Sequence, residues 1–278
     1  MERTHRVRDG CGVAVGRVIA IANQKGGVGK TTTAVNLAVA LAQSDRRVLL
    51  IDIDPQSNAT SGLSANRDPA GAADRGKTIY EALVTDVPLV EIIREVRPGL
   101  DLAPSSGDLV GAEIELATME GRERRLQALL KQGFGHYNYV LLDTPPSLGI
   151  LTLNALVAAD TVLVPMQCEY YALEGLSALV ATIRRVKAGL KPTLEIEGLV
   201  LTMFDRRNRL SFEIEREVRT HFAEKVFQTV IPRNVRLSES PSHGLSALEY
   251  ESKSAGAESY RELAMEILAR EAALSTNA

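Results

Sequence analysis

Short apolar runs rich in β-branched residues recur at Val18–Ala22, Val48–Ile51, Val140–Leu142, Thr161–Val164 and Leu199–Met203. Each is too short for a helix, and together they predict buried parallel strands. Between them lie helical patterns: Val35, Ala38, Val39 and Ala42 follow i, i+3, i+4, i+7, as do Leu176, Leu179, Val180 and Ile183. This alternation predicts an α/β class chain, a doubly wound, mostly parallel sheet with helices on both faces and ligands at the carboxyl ends of the strands. From Thr78 to Gln132 the pattern is mostly helical, with Leu100–Ala103 as a candidate edge strand. A last helix, Glu258 to Ala272, places Tyr260, Leu263, Ala264, Ile267 and Leu268 on one face. Ser64–Lys77 reads as an exposed loop, and residues 1–16, which lack apolar periodicity, read as a flexible tail ahead of a single domain at 17–278.

Composition adds exclusions more than identities. A chain of 278 residues with 45% hydrophobic and 24% charged residues has the make-up of an ordinary soluble globule. Its net charge of −3 offers no global attraction to nucleic acid, so any such surface has to be local. Cys11 and Cys168 lack the spacing of a zinc or iron–sulfur site and read as reduced thiols. His136, His221 and His243 show no metal or triad spacing. The basic-then-apolar start resembles a secretory signal, but Arg17 interrupts it and no cleavage site follows. No window approaches 18 apolar residues, so a cytoplasmic protein without a membrane span is expected. The polar face of the last helix is mainly acidic, which argues against docking on an anionic membrane.

The chemistry concentrates after the first apolar run, in "NQKGGVGKTTTAVNLA". Gly29, Lys30 and Thr31 satisfy the end of G-x-x-x-x-G-K-[ST], whereas Gln24 stands where the first glycine belongs. Gly26, Gly27 and Gly29 allow backbone N–H groups to turn toward phosphate oxygens, and a helix starting near Lys30 adds its positive end. Val28 and Thr32 complete this nucleotide-binding segment, Lys30 holds the β and γ phosphates, and Thr31 is placed to ligand Mg²⁺. Asp54, at the end of the second run with Asp52 beside it, is a candidate for orienting the attacking water. Asp143, after "YVLL", is in the position of a Walker B carboxylate that holds Mg²⁺ through water. Lys25 is a second cation, five residues upstream of Lys30.

Five segments, "KGGVGKTT", "DIDPQSNATSGL", "LLDTPPSLGILTLNAL", "PMQCEYYALEGL" and "IPRNVRLSESPSHG", together resemble the ParA/Soj partitioning ATPases of the deviant Walker A class. The likeness spans Arg17 to Ala269, nearly the whole chain. It implies an ATPase acting in DNA segregation with ATP and Mg²⁺. In that family the lysine matching Lys25 crosses a homodimer interface to the partner's ATP. The resemblance also assigns Pro232 and Asn234 to the adenine side and Arg207 and Arg236 to non-specific contacts with double-stranded DNA, with Arg206 and Arg209 nearby. It implies release by a ParB-like centromere-binding partner and association with the nucleoid. Ser57 departs from the pattern, since the family usually has glycine after D-P-Q. Two rivals share the fold. A MinD-like regulator requires a basic membrane-binding terminal helix, and a redox or amide-forming enzyme requires cluster cysteines or an organic-acid site.

Overall fold

The structure is a computed structural model that describes residues 16–64, 76–170 and 172–276. The first half runs β1 (Arg17–Ile21), α1 (Lys30–Gln43), β2 (Val48–Asp52), α2 (Asn58–Ser64), α3 (Ile79–Val84), β3 (Arg94–Arg97), β4 (Leu100–Ala103), α4 (Leu109–Ala117), α5 (Arg125–Leu130) and β5 (Tyr139–Asp143). The second half runs α6 (Ile150–Ala158), β6 (Thr161–Gln167), α7 (Ala172–Gly189), β7 (Glu195–Phe204), α8 (Arg209–Phe222), β8 (Val226–Pro232), α9 (Arg236–Glu239), α10 (Ala247–Tyr250) and α11 (Ala255–Thr276).

One sheet has the strand order β3-β4-β2-β5-β1-β6-β7-β8, parallel throughout except for β3 against β4. The chain leaves β1 for one side of the sheet and later returns to the other. That reversal opens a crevice above the carboxyl ends of the central strands. Register sets the level of the groups there: Ile21 is opposite Asp143, and Asp143 is opposite Asp52. The loop after β1 therefore begins beside two carboxylates.

Successive strand residues point to opposite faces, so each central strand feeds two cores. Ile19, Ile21, Leu50 and Leu141 pack with Leu37 and Leu41 of α1 and Tyr260, Leu263 and Ile267 of α11. Val18, Ala20, Leu49 and Val140 pack on the other face with Leu116, Leu156, Leu176 and Ile183. Burial on both faces explains why the runs are continuously apolar. Each buried Leu or Ile stabilises the fold by about 1.5–3 kcal/mol. The Thr33 hydroxyl and the Tyr260 phenol lie 3.1 Å apart and pin α11 to α1.

Two expectations about elements need correction, and two strands, β3 and β8, carry no apolar run to predict them. Leu100–Ala103 is a strand but not the edge: it pairs with β2 and is flanked by β3. The sequence "REVR" of β3 hides its strand character because charges suit an edge that must not recruit other chains. Strand β8 has no continuous apolar run, since Gln228, which is exposed, and Thr229 interrupt it. The last helix extends beyond Glu258–Ala272 at both ends, to Ala255–Thr276. The expected tail, except for Gly16, and residues 65–75 of the expected loop lie outside the described residues. Among the described residues, no helix is long and apolar enough to cross a membrane.

Candidate functional site

The loop between β1 and α1 turns sharply at Gly27 and Gly29, whose φ angles are +73° and +85°. These left-handed conformations strain any residue with a Cβ. Helix α1 begins at Lys30 with no side-chain cap and no acidic residue in its first turn. Its N-terminal amides are therefore open to an anion. Gly26 and Gly27 are exposed, Val28 is buried beneath them, and Thr31 and Thr32 are half-buried at the start of the helix.

Lys30 is buried, and its ammonium donates to the Lys25 carbonyl at 3.2 Å. Burial lowers its pKa, while the Asp143 and Asp54 carboxylates oppose that shift. Asp143 is fully buried and both its oxygens lack a hydrogen-bond partner among the described residues. Burial and the neighbouring Asp52 push its carboxyl well above the ordinary range. A buried carboxylate without a well-formed hydrogen bond, whose rise only the Thr31 hydroxyl and Lys30 oppose, beside an anion-accepting loop, fits a site that receives a cation with a phosphate. Thr31 and Asp143 are the residues that could hold a cation such as Mg²⁺ there.

Asp52 and Asp54 divide their work. Asp52 accepts from the Thr60 backbone N–H at 2.8 Å and from the Thr60 hydroxyl at 2.7 Å. Burial raises its carboxyl to about 6, and the Thr60 bonds oppose the rise. Asp54 is buried, and its Oδ1 accepts from the Gln56 N–H at 2.9 Å. The next loop residue that mattered in the sequence, Ser57, has φ +53°. Glycine would adopt this left-handed conformation freely, whereas serine holds it at a cost of about 1–2 kcal/mol.

Lys25 stands apart from this cluster. Its ammonium pairs with Glu169, on the loop after β6, and the two side chains are 37% and 46% exposed. Its backbone N–H donates to Asn23 Oδ1 at 3.0 Å, and Asn23 is anchored through Nδ2 to the Pro165 carbonyl at 2.7 Å. The two lysines thus occupy different surroundings: one is inside the cluster and one is at the rim.

The other candidates lie farther along the same sheet end. Thr202 of β7 donates through its hydroxyl to the Val28 carbonyl at 2.8 Å, which ties this strand to the phosphate loop. Met203, next to it, has φ +49°, a strained position that no sequence pattern signalled. The Arg233 N–H donates to the Phe204 carbonyl at 3.1 Å and brings the loops after β7 and β8 together. Pro232 ends β8, and Asn234 accepts from the Arg236 N–H at 2.9 Å. A cavity of about 340 Å³ beside α1 is lined by Thr31, Thr32, Asn58, Leu237 and Ser238, without Pro232 or Asn234. Arg207 is 87% exposed and paired with Asp205 at 2.9 Å. Arg236 is paired with Glu239 at 2.7 Å, and Arg209 with Glu213 at 2.9 Å. Arg207 therefore faces solvent and Arg236 is half-buried, each with a carboxylate already attached.

Glu169, Thr60, Ser105 and Met203 were absent from the sequence-level site. Glu169 lies inside "PMQCEYYALEGL", yet nothing in its spacing linked it to Lys25 across 144 positions. Cys168 beside it is buried and its thiol is pushed up to about 12, mainly by burial, which fits an inert structural cysteine. Cys11 lies outside the described residues.

A phosphate loop at a sheet switch point, with a lysine, a hydroxyl and converging carboxylates, defines the class as P-loop nucleotide hydrolases. The family described as AAA domain matches residues 16–196. The chain is 52% identical over 259 residues to the chromosome partitioning protein ParA of Myxococcus xanthus, covering 92% of this chain and 89% of that one. It is 52% identical over 254 residues to the chromosome-partitioning ATPase Soj of Thermus thermophilus, covering 91% and 96%. A solved structure of cobyrinic acid a,c-diamide synthase from Mycobacterium smegmatis, with bound ADP and magnesium, superposes with a TM-score of 0.77 at 37% identity, covering 91% and 94%. This chain belongs to the ParA/Soj family of chromosome-partitioning ATPases.

Proposed function

We propose that this protein segregates DNA as an ATP-gated homodimer. Mg-ATP binds each chain, two chains close over two nucleotides, and the dimer holds double-stranded DNA without sequence preference. A ParB-like centromere-binding partner then stimulates hydrolysis and release. The observation that carries the reading is the separation of the two lysines. Lys30 is buried with Asp143 and Asp54, whereas Lys25 sits at the rim on a half-exposed ion pair.

In this reading Gly26, Gly27, Val28, Gly29, Lys30, Thr31 and Thr32 bind phosphate, and Pro232 and Asn234 stand on the adenine side. Mg²⁺ held by Thr31 and Asp143 would neutralise charge on the phosphate oxygens. Asp54 orients the attacking water. Lys25, supplied to the partner's site, makes the nucleotide part of the interface and stabilises charge that develops in the transition state. Arg207 and Arg236 exchange Asp205 and Glu239 for DNA phosphates, which accounts for binding by a protein with a net charge of −3. Nucleoid association follows from that contact.

Co-sedimentation with DNA and with liposomes, in ATP, ADP and no nucleotide, tests the proposal. DNA binding confined to ATP is the expected result. Binding to liposomes, or to DNA in all three states, would overturn it.

A further inference from the structure

We propose that Thr60 and Ser105 are positioning residues for Asp54, acting through a closed ring of hydrogen bonds that also includes Asp52. The inference rests on the assignment of Asp54 to the attacking water. From Asp52 Oδ2, which accepts both the Thr60 N–H and the Thr60 hydroxyl, the ring passes to Ser105, whose N–H donates to Thr60 Oγ1 at 2.9 Å. The Ser105 hydroxyl donates to the Asp54 carbonyl at 2.7 Å, and the Asp54 N–H closes the ring on Asp52 Oδ1 at 3.1 Å.

Three separate parts of the fold meet in this ring: the end of β2, helix α2 and the loop after β4. Asp52 and Ser105 are buried, so each bond replaces contact with water and each polar atom left unpaired would carry a desolvation cost. Asp54 is the residue on which the bonds converge. Its backbone is held at both the N–H and the carbonyl, and its side chain is oriented through Oδ1 by Gln56. The bond from Gln56 engages Oδ1, and Oδ2 is assigned to the water. A misplacement of about 1 Å in such a group costs on the order of 10²-fold in rate. The ring supplies the rigidity that a loop carboxylate lacks.

Thr60→Val keeps the shape of the side chain and removes the hydroxyl. We expect kcat to fall about tenfold, with ATP affinity and KM within about twofold of wild type, since neither residue belongs to the phosphate loop. Thr60→Ser should recover most of the loss. Ser105→Ala should act in the same direction, and the double variant should be little worse than the worse single one, because the ring is broken once. A second readout needs no turnover: in nucleotide-free Thr60→Val, the Ser105 amide should exchange hydrogen at least about tenfold faster, while the β2 amides stay protected. Unchanged kcat in a protein where Asp54→Ala stops hydrolysis would overturn the ring and leave the Asp54 assignment standing. Thr60→Ser no better than Thr60→Val, or a loss of ATP affinity equal to the loss of kcat, would also overturn it. Asp54→Ala with normal turnover would instead sink the assignment beneath it.

Discussion

If Lys25 serves the nucleotide of a partner chain, it must first leave Glu169, and that requirement has a measurable size. The pair is half-exposed, at 37% and 46% for the two side chains, so solvent screens it strongly. Pairs of this kind are worth about 0.2–1 kcal/mol. A symmetric dimer breaks two of them, which puts about 0.4–2 kcal/mol against dimerisation. Glu169→Gln removes the ionic attraction while keeping the side chain's volume. ATP-dependent dimerisation should then tighten by roughly 2- to 30-fold, since 1.4 kcal/mol is a factor of about ten. Analytical ultracentrifugation across a protein dilution series, with a non-hydrolysable ATP analogue, measures this directly. The gain should shrink in high salt, where an exposed pair is already weakened. Lys25→Ala should bind ATP as a monomer, and adding Glu169→Gln to it should change nothing. Weaker or unchanged dimerisation in Glu169→Gln would refute the reasoning, because Lys25 would then not be released on association.

Other consequences can be tested separately. Asp143→Asn should melt at a higher temperature than wild type in the nucleotide-free protein, because a buried charge without a well-formed hydrogen bond is gone. The Asp143 carboxyl is raised in the folded chain, so the folded state loses stability as pH rises from the ordinary value of 3.8 through the raised one; the melting advantage of Asn should therefore be larger at pH 8 than at pH 5. An advantage that stays constant with pH would show that the charge is relieved elsewhere. Lys30→Ala should lose ATP binding in a calorimetric titration, and retained affinity would mean that the loop amides suffice. Arg207→Ala and Arg236→Ala should each flatten the slope of log K against log salt for DNA by roughly 2, from two copies at about 0.9 each, with basal ATPase preserved. A fall in affinity without flattening would mean that these arginines act through folding or dimerisation.

The core strands and the phosphate loop were legible because their signals are local. A strand buried on both faces must be continuously apolar, as in Val48–Ile51, and a loop that wraps phosphate needs glycine at left-handed positions, as at Gly27 and Gly29. The position of Asp143 could be read for the same reason: it ends its apolar strand. The polar edge strand β3 escaped notice because an edge has one unpaired side and does not require apolar residues.

The sequence by itself determined the fold class, the phosphate loop and the order of the chemical groups along the chain, since each depends on residues within a turn or a strand of one another. Only the tertiary structure decided which distant groups meet. Parallel strands joined by crossovers bring remote segments to one sheet end, so Lys25 meets Glu169 across 144 positions and Ser105 meets Asp54 across 51. It also decided protonation: Asp52 and Asp143 are ordinary acids in the sequence, and burial at one level of the sheet raises both. Such effects depend on the loss of water around a group, and water is lost only when the chain has closed over it.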